Sequence, residues 1–307
     1  ANFHTHTQLS DGSMSPEEVV DTYRGLGYSV LALTDHNTAH AGRWPSTLFP
    51  WTSFEDIATT AGEGPWEDRD PSTLGMIAVE GSEISQNHHI GSWFNDFVGT
   101  TEDEEASLDA IASRDGLAIF HHPGRYDRDD SWYVEMFARH PKVIGLEIFN
   151  QKDRYPEDRD RWDRILHLTM PQRNVWGFGN DDMHSIDNLG WNRNVLLVAQ
   201  LTESEVRASL EDGRFFVFKP YAHQGAPDVR ISQVALLSDG IRLSVEGTYS
   251  SIYWITYYSE DSESAIIGMG DTFRTAWLPL DAHFVRAVIF SEGGKLFTQP
   301  FGLERLD

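Results

Sequence analysis

The chain has 307 residues, of which 40% are hydrophobic and 12% aromatic, enough apolar material for a buried core and too much for wholesale disorder. Its 48 acidic against 24 basic residues give a formal charge of −24, which opposes non-specific binding to duplex nucleic acid or an anionic membrane, and no apolar run reaches the roughly 18 to 20 residues of a membrane span. Cysteine is absent, which excludes disulfide scaffolds, thiol nucleophiles and Cys-based zinc sites.

The chain opens on Asn2-Phe3-His4, residues of an apparent strand, which points to a leader or flanking segment outside it. Ser15-Pro16-Glu17-Glu18 supplies an N-cap, a first-turn proline and acidic residues at the positive end of a helix that closes at Gly25 and Gly27. Short runs rich in branched residues follow at 30–33, 76–79, 117–120, 143–149, 175–178 and 195–198, as in parallel strands buried on both faces. Residues 104–113 and 159–168 read as helices between them. This alternation predicts an α/β domain over residues 1–225, either a parallel barrel or a doubly wound sheet. The long connection 42–75, with Trp44, Trp51 and Trp66, reads as an insertion or active-site wall. Its tryptophans either stack a base or sugar or pack the insertion itself.

After residue 225 the texture changes. Strand-like runs at 230–237, 241–246, 252–259, 272–278, 284–291 and 295–301 are separated by glycine turns with no long helix between them. They predict a small antiparallel β-sandwich over 226–307, in which Trp254, Tyr257, Tyr258 and Trp277 form either a binding platform or the core.

The histidines are not scattered. His4-Thr5-His6, followed by Asp11, ends the first apparent strand, and Asp35-His36 ends the second. Glu83 ends the third with His88-His89 just beyond; His121-His122 ends the fourth run, and Asp181-Asp182-Met183-His184 follows 175–178. Strand C-terminal ends converge on one face of barrels and open α/β sheets, where sites are built. Residues two apart in extended chain point to one side, as His4 and His6 do, and Asp182 and His184. One member of each doublet, His88/His89 and His121/His122, should therefore bind and the other turn away. Imidazole with carboxylate suits Zn²⁺, Mn²⁺ or Fe²⁺ better than Ca²⁺ or Mg²⁺. His140, His167 and His283 read as surface or structural residues, and His40 lies near the mouth of the site.

These motifs, with Ser10-Asp11-Gly12, Leu33-Thr34-Asp35-His36-Asn37, Gly81-Ser82-Glu83-Ile84-Ser85 and His122-Pro123-Gly124-Arg125-Tyr126, resemble in kind and order those of the PHP superfamily, named for its polymerase-associated and histidinol-phosphatase members. The resemblance covers about the first 185 residues. It implies a distorted (β/α)₇ barrel with two or three divalent ions (Mn²⁺, Zn²⁺ or Fe²⁺) and hydrolysis of phosphomonoesters or short, possibly nucleotide-like, phosphodiesters by a metal-activated water. It further implies that His4, His6, Glu83 and Asp182 hold one ion, that Glu83 bridges to a second held by His88 and His122, and that Asp11, His36 and His184 hold a third. Asp11, Glu83 and His184 are then the catalytic candidates. The family's His-x-x-Gly spacing favours His88, and the place before Pro123 favours His122. One residue more than the family pattern between Gly179 and Asp182 leaves Asp181 as the alternative to Asp182. Arg125 is the implied phosphate contact, and Asp35 and Glu147 are candidates to orient ligand imidazoles. The substrate expected is a small phosphorylated molecule, and the C-terminal β domain resembles that of exported members. A C–N or lactone hydrolase using the same metal centre is the alternative reaction. A binding protein with a relic barrel is the non-enzymatic one.

Overall fold

A computed structural model describes residues 1–37, 69–258 and 263–303. His40, Trp44, Trp51, Trp66 and most of the connection 42–75 lie outside the described residues. No helix among the described residues is long and apolar enough to cross a membrane.

Helix α1 (Pro16–Gly25) begins as expected: Ser15 and Glu18 form a reciprocal capping box, and Val19, Val20 and Tyr23 are buried on its inner face. Strand β1 (Val30–Leu31) pairs in parallel with β2 (Ile77–Ala78), which follows the short helix α2 (Pro71–Leu74). Strands β3 (Gly81–Ile84), β4 (Ile90–Trp93), β5 (Leu117–Phe120), β6 (Val143–Asn150) and β7 (Trp176–Asn180) form one five-stranded sheet in that order. Helix α3 (Glu104–Ala112) precedes β5, α4 (Asp130–Arg139) precedes β6, and α5 (Asp158–Thr169) precedes β7.

Two differences from the sequence expectation matter. The sheet is not all parallel: β3 and β4 form a hairpin, and β4 also runs antiparallel to β5. Nor is a closed barrel seen among the described residues. Single bridges at Asn2–Leu31, Thr5–Met183 and His36–Glu83 join the first segments to the sheet in place of continuous ladders. The strand ends still face one another across the first residues of the chain.

The last run of the barrel reading, 195–198, belongs elsewhere. Strand β8 (Arg193–Leu196) pairs antiparallel with β9 (Phe215–Pro220) after helix α6 (Glu203–Glu211), and β9 pairs with β16 (Gly294–Thr298) of the C-terminal region. A single sheet, β13-β12-β15-β16-β9-β8, therefore runs across residue 225, built with β12 (Tyr249–Tyr258), β13 (Glu263–Met269) and β15 (Phe284–Ser291). Its short partner β17 (Phe301–Gly302) pairs with β15. A second antiparallel sheet contains β10 (Val229–Leu237), β11 (Gly240–Gly247) and β14 (Thr272–Arg274).

The larger sheet is covered on both faces, and β15 shows how. Val285, Ala287 and Ile289 share a core with Ile231, Leu243, Trp254 and Phe273, against the smaller sheet. Phe284 and Val288 alternate with them and pack with Trp162, Ile165 and Leu166 of α5. On that second face Arg286 is buried against Asp163 of α5, with Nε to Oδ1 at 2.7 Å and Nη2 to Oδ2 at 2.6 Å. Trp254 and Tyr257 are thus core residues, whereas Trp277 is partly exposed.

Candidate metal centre

Backbone pairing delivers the first two imidazoles. The amide of His6 donates to the Met183 carbonyl, and the Thr5 hydroxyl donates to the Ala32 carbonyl. The extended segment 3–7 is fixed by these bonds, so that His4 and His6 share one side and the threonines the other. Thr7 is held in turn by Asp35, which accepts from its amide at 2.7 Å, from its hydroxyl at 2.8 Å and from the Ser10 hydroxyl at 2.6 Å. Asp35 thus shapes the loop that carries His6 and Asp11, with no hydrogen bond to a ring among its contacts.

Glu83 is the hub. Its carboxylate is 1% exposed and lies among six imidazoles. Oε1 is 2.8 Å from His89 Nδ1, 2.9 Å from His121 Nδ1, 3.1 Å from His4 Nε2 and 3.4 Å from His122 Nε2. Oε2 is 3.0 Å from His36 Nδ1 and 3.4 Å from His6 Nε2. Asp182 Oδ1 faces His4 Nε2 at 3.2 Å and His6 Nε2 at 3.3 Å. On the outer side Asp11 lies 3.3 Å from His184 Nε2, 3.5 Å from His36 Nε2 and 3.7 Å from His6 Nδ1. Donor atoms gather into overlapping groups, including His4–His6–Asp182, His4–Glu83–His122, His36–Glu83–His89 and His6–Asp11–His36–His184, each within 4.8 Å.

Whether this set fits divalent cations can be tested on its hydrogen bonds. His4 Nε2, His6 Nε2 and Glu83 Oε2 are buried without a hydrogen-bond partner, although they converge on one another. Each unsatisfied buried group costs about 1–3 kcal/mol, so three at one point call for a ligand. Neutral imidazoles with carboxylates are the donors that Zn²⁺, Mn²⁺ or Fe²⁺ take. The residues fit.

Charge is arranged to match. Burial resists ionisation of Glu83, but the rings of His89 and His4 and the hydrogen bonds of His121 and His122 hold it well below the usual carboxylate range. Burial likewise opposes the Glu147 charge, and His4, His121 and His122 outweigh it, leaving the group at about 2. Glu147 Oε1 accepts from His4 Nδ1 at 2.8 Å, which turns His4 Nε2 into the cluster. Its Oε2 accepts the His122 amide at 2.8 Å. Burial, with His184 and His36 nearby, lowers His6 to about 3, so this ring keeps its lone pair.

Of the two aspartates, Asp182 reaches the cluster. Asp181 is consumed by structure, accepting from the Tyr23 hydroxyl and the amides of Gly190, Trp191 and Asn192. Of the histidine doublets, His88/His89 divides as alternation expects but with His89 inward, and His121/His122 does not divide. His88 does not enter the cluster: its Nδ1 donates to the His89 carbonyl, Nε2 lies 2.8 Å from the Tyr133 hydroxyl, and the ring stacks on Tyr126 at 4.0 Å. His89 takes its place beside Glu83, because the hairpin register sets Glu83 opposite Gly91 and turns the residue before β4 inward. At the other doublet both rings reach Glu83. His122 has φ 29°, in the left-handed region, so the chain swings round after β5 and brings His122 to the side His121 occupies. Asp182, with φ 43°, is held the same way. Gly91 makes room: a Cβ there would lie 2.4 Å from His121 Nε2.

Sequence reasoning missed Asn150 and Gln151, whose amides donate to Asp182 Oδ2 at 3.2 and 3.4 Å. Asn150 ends β6 and Gln151 follows it directly, a position open to the same strand-end reading as the histidines. Arg125 is exposed on the 3₁₀ turn Pro123–Arg125 that leaves His122. Its guanidinium has no carboxylate partner among the described residues and lies 5.9 Å from the Tyr126 ring. Asp130, one of the acids that would have neutralised it, is engaged by Arg161 and Arg164.

Two outcomes follow. His89→Ala is expected to lower bound metal by about one ion per chain, whereas His88→Gln keeps the metal and loses about 1–3 kcal/mol of stability by removing the buried ring that meets the Tyr133 hydroxyl and the His89 carbonyl; metal analysis with denaturant unfolding separates them. In the metal-free chain burial opposes a charge on His36, but Asp11 and Glu83 outweigh it and hold the ring at about 10. An ion binds only the deprotonated ring, so affinity should climb with pH up to about 10, and loading near pH ~8 should release protons. Calorimetric titration in two buffers of different ionisation enthalpy reads that release; buffer-independent heats would remove His36 from the ligands.

Neither a scan against protein-family models nor a comparison with curated proteins finds a match. Among solved structures the chain is similar to a two-domain protein containing a predicted PHP-like metal-dependent phosphoesterase from Bacteroides vulgatus, at 14% identity, over 99% of this chain and 87% of that one, with TM-score 0.54. It is also similar to a protein described as a candidate metal-dependent phosphoesterase from Bifidobacterium adolescentis, at 17% identity over 68% and 94% of the two chains, TM-score 0.44. An amidohydrolase from Chromobacterium violaceum with bound sulfate and no metal matches at 14% identity over 60% and 87%, TM-score 0.41. The first of these likenesses extends over both halves of the molecule, and the chain has the fold of that two-domain PHP-like protein.

Proposed function

We propose that this chain is a metal-dependent phosphoesterase that hydrolyses small phosphomonoesters or short phosphodiesters, with two or three divalent ions held by His4, His6, Asp11, His36, Glu83, His89, His122, Asp182 and His184. In this reading the strand ends form a distorted seven-stranded ring in which single bridges stand in for ladders. The observation that carries the proposal is the convergence of unpaired, buried donor atoms on Glu83, one turn of chain away from an exposed arginine that has no carboxylate partner among the described residues. Divalent cations supply an acidified water and positive charge against the phosphoryl oxygens.

The protein's own groups do the rest. Glu147 and Glu83 set the orientation of His4, His89 and His121, so the donor atoms are in place before a substrate arrives. Asp11 and His184, each with a side chain 31% exposed, are the members of the cluster open to solvent and define its mouth. Their contact at 3.3 Å places Asp11 Oδ2 and His184 Nε2 together as the outermost donor atoms of the cluster, beside the reacting group. Arg125 binds phosphate oxygens through its planar fork, which gives the site local attraction for an anion inside a chain of charge −24.

The test is a broad phosphoester panel run beside an amide and lactone panel. Phosphoester turnover should vanish on chelation and return with Mn²⁺ or Zn²⁺, and Arg125→Ala should raise KM about tenfold or more at unchanged metal content, with Arg125→Lys between. Turnover confined to amides or lactones, and indifferent to Arg125, would instead establish a C–N or lactone hydrolase. A fully loaded protein that turns over neither panel would end the enzymatic reading.

A further inference from the structure

Helix α5 touches both halves of the molecule. Near its start Arg161 Nη1 donates to the Pro123 carbonyl at 2.8 Å, and Asp130 steadies the same guanidinium at 3.4 Å. Glu157 and Asp158 close over Gly124, where a Cβ would lie 2.7 Å from Glu157 Oε1 and 2.9 Å from Asp158 Oδ1. The turn that carries His122 at one end and Arg125 at the other thus rests on the first turns of α5. Two residues after Arg161, and so on the far side of the helix, Asp163 receives both nitrogens of the Arg286 fork and the Ser264 hydroxyl, all three from β15 and β13. Further along, the His167 and His283 rings stack at 4.7 Å. One face of the helix grips the site; the other is gripped by the β domain.

We propose that α5 is a strut through which the C-terminal β domain positions the His122–Arg125 turn, with Arg161 and Arg286 as positioning residues. A hydrogen-bonded helix transmits a displacement along its length with little loss, and a shift of about 1 Å at a substrate-holding group can cost up to about 100-fold in rate. The bidentate Asp163–Arg286 pair, buried on both sides, suits this purpose because it fixes direction as well as distance.

The kinetic consequence rests on the phosphoesterase reading, so the experiment carries an arm that does not. Full-length, metal-loaded Arg161→Gln and the paired variant Asp163→Leu/Arg286→Met are compared with wild type; the pair is replaced together because removing one partner would strand a buried charge. Hydrogen exchange at the amides of His122, Gly124, Arg125 and Tyr126 should quicken about tenfold in both, while bound metal stays constant. Phosphoester KM should rise about tenfold with kcat far less affected, and Arg161→Lys should recover part of the loss. Where the paired variant does not fold, Arg286→Lys, which keeps the charge and loses the fork, takes its place with the same readouts. Wild-type exchange at 122–126 in a folded Arg286 variant overturns the strut. Quickened exchange in a chain that hydrolyses no phosphoester upholds the strut and overturns the reaction instead.

Discussion

The Glu83 carboxylate is the constraint on which the rest of the site depends. A carboxylate removed from water is costly unless charge and hydrogen bonds replace its hydration, and here the replacement comes from imidazoles on four separate segments of chain. Those segments are the ends of strands or the turns just after them. The sheet brings them together; the carboxylate gives them a common centre. The same convergence leaves His4 Nε2, His6 Nε2 and Glu83 Oε2 unsatisfied, and this deficit distinguishes a ligand site from a buried polar network that has completed its own bonds.

Around that centre the polar groups divide into two kinds. Glu147 acts directly on the rings, fixing His4 through Nδ1 and His122 through its amide. Asp35 and Asp181 act on backbone: the first ties the loop of Thr7 and Ser10, the second gathers the amides of 190–192 beneath the segment that carries Asp182 and His184. Beyond them, α5 supports the turn that leads from His122 to Arg125 and packs on its other side against the large antiparallel sheet. The β domain is therefore continuous with the α/β region in both sheet and core, since β8 and β9 belong to its larger sheet.

Much of this was legible in the sequence. Apolar runs ending in histidine or acid placed His4, His6, His36, Glu83, the His121-His122 doublet, Asp182 and His184 on one face, and the structure gathers them. The changes of texture after residue 225 indicated antiparallel strands, which is what β10 to β17 are. What could not be read depends on strand pairing and backbone conformation. The β3–β4 hairpin carries buried polar residues such as Ser82, Glu83 and Ser92, so it has no hydrophobic alternation to announce it, and with it went the choice between His88 and His89. The rule that neighbouring residues face opposite ways failed at His121-His122 because a left-handed backbone at His122 interrupts the strand. The run at 195–198 has the branched composition of its parallel predecessors, yet it falls on the half-buried end of an edge strand in an antiparallel sheet, so composition alone did not separate the two.

The central claim is tested most directly by anomalous diffraction from crystals of the metal-loaded chain, with data at the absorption edge of the added ion. The account predicts at least two anomalous peaks sharing Glu83 as a ligand, one against His4, His6 and Asp182 and another reached by His89 or His122. A map from fully loaded crystals with no peak beside Glu83, or with that carboxylate rotated out of the histidine cluster, would contradict it.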